Sequence, residues 1–137
     1  MQTISALKQF AGQKYLNLET YRRNGNGVRT PVWFVEHEGK LYVRTGAKSG
    51  KAKRLRNFSQ VRVAPCKVQG EVIGTWVKGN AHPVDAKTAD LINRLFSRKY
   101  GLQKVFFDVL GLLQKFETAT YEITLEDQET PSESGAS

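Results

Sequence analysis

The chain has 137 residues, 39% of them hydrophobic, and carries a formal net charge of +8 with a pI near 9.7. That length is enough for one domain with a real core, and the charge favours anionic partners. Cys66 is the only cysteine, which excludes an intrachain disulfide and a thiolate metal site, and no apolar run approaches the about 20 residues that span a bilayer. MQTISALKQFAGQKY has neither the basic start nor the continuous apolar core of a signal peptide. A cytoplasmic protein with no membrane partner is expected.

Ile4, Leu7 and Phe10 recur at helical spacing and predict a short amphipathic helix ending at Gly12. Residues 14–21 alternate as a strand. RRNGNG over 22–27 is a hairpin signal, because Asn-Gly readily takes positive φ. Residues 28–36 form the return strand, where Pro31 implies an edge, a bulge or a face turned to a ligand. HEGK turns into LYVRT, which makes a meander of three strands. Alternation then predicts strands over 60–68 and 71–84, and the five together suggest a small barrel.

Asp85 follows Pro83 and can cap a helix in which Leu91, Ile92, Leu95 and Phe96 share a face, with Gly101 interrupting it. A second helix carries Leu102, Val105, Phe106, Val109, Leu110 and Leu113, and a last strand alternates over 116–127. A single domain over 1–126 is expected, followed by a disordered acidic tail over 127–137.

The chemistry concentrates in YVRTGAKSGKAKRLRNF, residues 42–58. Between Glu38 and Glu71 there is no acidic residue, while Arg44, Lys48, Lys51, Lys53, Arg54 and Arg56 are all cationic. A strand that stops at Thr45, Gly46, Ser49 and Gly50 and enters a basic helix is a phosphate seat in outline: backbone N–H groups, hydroxyls and an ammonium can converge on one anion. The plainer alternative is a solvated basic face. A Walker loop is excluded by spacing, because Thr45 stands where its first glycine belongs and Ala52 follows Lys51. Trp33 and Trp76 are either core residues or flat walls for a ring. His37 and His82 have no metal-ligand companions, and no catalytic triad can be assembled.

In combination, LETYRRNGNGVRTPVWFVEHEGKLYVRTGAKSGKAKRLRN, VRVAPCKVQGEVIGTWVKGNAHPV and RKYGLQK resemble the pyridoxamine 5′-phosphate oxidase-like superfamily over roughly residues 13–125. Within it they look closest to the deazaflavin (coenzyme F420)-dependent oxidoreductases. The resemblance implies a mainly β chain with flanking helices, folded as an FMN-binding split β-barrel. It also implies a homodimer with F420 or FMN at the subunit interface. Carried over residue by residue, it makes Thr45, Ser49 and Lys51 the phosphate clamp, with Gly50 where main chain meets the phosphate. Arg44 stands beside the threonine, Arg54 is a further cofactor contact, and Val32 and Trp33 lie on the strand along the ring. The Arg-x-His substrate segment of pyridoxamine phosphate oxidase itself is missing, and an acidic tail stands in its place.

The expected function is hydride transfer between F420 or FMN and an unidentified small organic substrate, with no catalytic side chain singled out. The alternatives are a cofactor-binding protein without turnover, or a barrel that binds single-stranded nucleic acid and stacks bases on Trp33, Tyr42 and Trp76.

Overall fold

The computed structural model describes residues 6–101 and 118–126. Six strands close an antiparallel barrel in the order β1-β2-β3-β6-β5-β4. They are β1 (Tyr15–Tyr21), β2 (Gly27–His37), β3 (Lys40–Gly46), β4 (Gln60–Cys66), β5 (Val77–Pro83) and β6 (Thr118–Leu125). Two helices are described, α1 (Gly50–Asn57) between β3 and β4, and α2 (Ala86–Tyr100) after β5. The second predicted helix and the acidic tail lie outside the described residues.

Period-two alternation sends Leu16, Leu18, Phe34, Leu41, Val43, Val61, Val63, Ile123 and Leu125 into the barrel, where Phe10 joins them edge-on to Phe34. Phe10 precedes Gly12, whose φ of 76° ends the N-terminal turn as the sequence predicts. Closing of the hairpin at 22–27 follows the Asn-Gly signal: Arg22 N–H donates to Asn26 O at 2.9 Å, and Gly25 takes a φ of 91°. Helix α2 begins as expected, with the Asp85 carboxylate accepting from Thr88 N–H at 2.8 Å. It buries Ile92, Phe96 and Tyr100 against Val35 and Tyr42 on the outer face of β2 and β3.

β1 is buried on both faces. Its outer residues are polar, and Asn17 and Glu19 among them reach named partners, although Asn17 Oδ1 accepts no hydrogen bond among the described residues. Asn17 Nδ2 donates to Gly70 O at 2.9 Å, and Glu19 accepts from Arg62, Arg29 and Tyr21 at 2.6, 2.9 and 2.8 Å. These hydrogen bonds hold the Glu19 carboxyl down at about 2, Arg62 contributing most. Both guanidiniums also lie over the ring of Trp76, at 4.6 and 5.1 Å from its centroid.

The strand expected over 71–84 begins only at Val77. The preceding stretch folds back on β4 instead: Ile73 N–H donates to Pro65 O at 2.9 Å, and Val72 bridges to Cys66. Gly70, with a φ of 96°, makes the turn that brings it there. β4 correspondingly stops at Cys66 rather than at residue 68.

β2 changes partner half-way. Gly27–Trp33 pair with β1, and the ladder to β3 starts only at Phe34↔Val43. β3 runs on beyond that rung, pairing through Arg44, Thr45 and Gly46 with β6. The two strands therefore part between Trp33 and Arg44. Pro31 sits in the half of β2 that has β1 as its one strand neighbour, which accommodates its missing N–H.

Candidate phosphate and cofactor site

The far end of β3 leads into α1, and five of the eight predicted site residues meet there. Ser49 is the N-cap: its hydroxyl accepts from Ala52 N–H at 3.1 Å. The Thr45 hydroxyl lies 2.9 Å from that of Ser49, so the two form a pair at the helix entrance. Among the described residues, the N–H groups of Gly50 and Lys51 have no acceptor. Such unpaired first-turn donors are what an anion recruits.

Cations flank this end. Ala52 and Leu55 face inward, and Lys51 and Arg54, three residues apart, share the half-buried flank of α1. Arg54 is oriented by Thr20, whose hydroxyl accepts from its Nε at 2.7 Å. Its Nη1 lies 2.9 Å from where a Cβ on Gly50 would stand, so the missing side chain is what lets the guanidinium rest over the helix start. Neither Lys51 nor Arg54 has an ion-pair partner among the described residues. Burial first, and then the neighbouring Arg54 charge, push the Lys51 ammonium below its ordinary range. Two uncompensated cations, a hydroxyl pair and two open N–H groups make a donor set that fits a phosphate.

The other three predicted residues stand apart from this cluster. Val32 turns into the barrel and packs on the core. Trp33, next in the strand, faces outward and stacks on Tyr100 with centroids 4.3 Å apart and planes 9° from parallel. Arg44 likewise faces outward, its Nη2 3.4 Å from Thr118 Oγ1 and its guanidinium 5.8 Å from the Phe96 ring centroid. Trp33 and Arg44 thus flank the parting of β2 and β3 on the α2 side, while Thr45 and Ser49 lie around its end. Thr20, Lys99 and Tyr100 were not singled out as site residues. Thr20 is 34 residues from the arginine it orients, so no local spacing announces it.

Solved structures share this architecture. HutZ, a heme storage protein from Vibrio cholerae, is 19% identical with a TM-score of 0.66, and the alignment covers 91% of this chain and 89% of HutZ. A candidate pyridoxamine 5′-phosphate oxidase from Listeria innocua is 14% identical with a TM-score of 0.65, over 92% of this chain and 94% of the other. The chain has the split-barrel fold of the pyridoxamine 5′-phosphate oxidase-like proteins. An FAD-binding protein from Mesorhizobium loti has this split barrel too, at 12% identity and a TM-score of 0.63, covering 92% of this chain and 89% of that one. No family model matches the sequence, and no curated protein matches it. Within the split barrel, the α1 entrance and the parting of β2 and β3 are the features that bear on a ligand. No helix among the described residues is long and apolar enough to cross a membrane.

Proposed function

We propose that the chain binds a phosphate-bearing flavin-type cofactor, F420 or FMN, and serves with it as a cytoplasmic oxidoreductase acting on a small organic substrate. The observation that carries this reading is the presence of Lys51 and Arg54 on one flank of the start of α1, where the N–H groups of Gly50 and Lys51 are open, beside the Thr45–Ser49 hydroxyl pair. An anion placed there would relieve like-charge repulsion and receive charge-assisted hydrogen bonds together. The bound ring would supply the hydride chemistry. The chain's part is to hold the phosphate at α1, lay the ring along the β2 main chain at Val32 and Trp33, and keep water away. A homodimer with the cofactor between subunits belongs to the proposal. The acid-free run from Lys40 to Lys67 favours F420, whose polyglutamate tail it would attract.

The nucleic-acid alternative needs three aromatic platforms, and their rings are engaged. Tyr42 is 5% exposed, Trp33 lies against Tyr100, and Trp76 carries two guanidiniums.

Titration of the purified full chain with FMN and with F420, followed by visible absorption and fluorescence, tests the proposal. Lys51→Ala should weaken binding by about ten- to a hundredfold, the loss of one charge-assisted contact. Equal affinity of mutant and wild type removes the assignment of Lys51. Tight single-strand binding that falls steeply with salt, without affinity for either cofactor, replaces it with the nucleic-acid reading. Cofactor binding with no hydride transfer to a broad substrate panel leaves a carrier.

A further inference from the structure

The place where β2 changes partner is occupied by a side chain from another element. The β1 ladder ends at Tyr15↔Trp33, and the next residue of β2, Phe34, turns its peptide groups to the same side. No β1 residue meets them there. The Tyr100 hydroxyl does: it accepts from Phe34 N–H at 3.0 Å, and its single proton faces the carbonyls of Lys14 and Phe34 at 2.7 and 2.8 Å. Tyr100 therefore stands in for one rung of sheet, tying the chain just before β1 to the midpoint of β2. The same ring stacks on Trp33. Lys99 reinforces the junction, its ammonium donating to Phe34 O at 2.8 Å and lying 3.6 Å from the Phe34 ring centroid.

We infer that Tyr100, assisted by Lys99, is a positioning residue for the cofactor ring. Its hydroxyl holds Trp33 and Phe34 at the point where β2 leaves β1, and so sets how far Val32 and Trp33 stand from the phosphate seat across the gap. This rests on the cofactor reading above. The reasoning is geometric. A strand that lost the stand-in rung could slide toward either neighbour, and the gap has no β2–β3 hydrogen bonds beyond Phe34↔Val43 to resist that. The seat on α1 is built from β3, α1 and Thr20 and makes no use of Tyr100, so the two halves of the ligand should respond to separate substitutions.

Comparing FMN with riboflavin in the full-length chain separates them, because riboflavin has the ring without the phosphate. Tyr100→Phe keeps the stacked ring and removes the hydroxyl. It should weaken FMN and riboflavin by the same factor, about tenfold, and change the visible circular dichroism of the bound, saturated flavin, which reports ring placement rather than stability. Lys51→Ala should weaken FMN while leaving riboflavin untouched. Lys99→Met, which alters an exposed side chain and keeps Tyr100 in place, should repeat the Tyr100→Phe effect in smaller measure and secures the test should Tyr100→Phe fold poorly. Wild-type affinities and an unchanged dichroic spectrum in both Tyr100→Phe and Lys99→Met overturn the inference, as does a loss confined to FMN. A wild-type chain that binds no flavin and no F420 fails at the earlier step and overturns the cofactor reading itself.

Discussion

Arg54 folds back along its own helix to lie over Gly50, and the contact works only because Gly50 has no side chain. The displaced group in a Gly50→Ala protein would be the far end of a flexible arginine, so the fold itself should hardly suffer. Alanine is also the better helix former, by about 1 kcal/mol in a helix interior. Gly50→Ala should therefore leave the melting temperature unchanged or slightly raised, while FMN or F420 affinity drops about tenfold as one charge-assisted donor leaves. Thermal unfolding and titration of the same preparation check both halves. A fall in melting temperature with intact affinity would contradict the cradle.

Gly79 makes the opposite case. A Cβ there would stand 2.8 Å from the backbone oxygen of Thr124 and 3.2 Å from Ile123 Cγ2, inside the β5–β6 ladder at Gly79↔Leu125. Backbone cannot swing aside as an arginine tip can. Gly79→Ala should destabilise the protein by about 1–3 kcal/mol, the usual cost of overpacking, without a specific effect on cofactor once folded. Urea denaturation reads it directly.

The Glu19 cluster sets an acid limit. Its folded-state pKa of about 2 lies below the ordinary carboxylate value of 4.5, so its stabilisation is complete above about pH 4.5 and is lost as pH falls from there toward 2. The shift corresponds to at most about 3 kcal/mol, and Arg29, whose side chain is 53% exposed, contributes the weaker part. Glu19→Gln should flatten the pH dependence of unfolding across that window and destabilise the protein at pH 7, since two guanidiniums then face each other without their carboxylate. Urea midpoints at pH 7 and pH 3 for both proteins decide it; parallel losses on acidification would place the acid sensitivity elsewhere.

Alternation and turn signals made all six strands legible in the sequence, one of them with too early a start, and a single carboxylate announced the start of α2. Residues 71–76 misled because Val72 and Ile73 have strand composition, yet their hydrogen bonds go to β4, a pairing set by the Gly70 turn and invisible to local pattern. The grouping of Thr45, Ser49, Gly50 and Lys51, the proposed phosphate seat, was legible for the reverse reason: they are near neighbours in the chain, so a strand end and a helix cap bring them together. Arg44 and its neighbour Thr45, like Trp33 and Val32, face opposite ways because adjacent residues of a strand do. Arg44 and Trp33 accordingly turn to α2. Tyr100 could be named only after folding, because its partners, Lys14 and Phe34, lie 86 and 66 residues away.

β6 is the last strand among the described residues, yet it sits between β3 and β5. During synthesis the barrel cannot close until about residue 125 has cleared the ribosome, and until then β3 and β5 each present an unsatisfied edge. Thr45 and Gly46, from which the proposed phosphate seat springs, are braced on one side by Ala119 and Thr118 of that closing strand. A nascent or truncated chain would therefore carry all five seat residues and still lack a braced site. Competence to bind should appear in one late step, together with protection of those edges from aggregation.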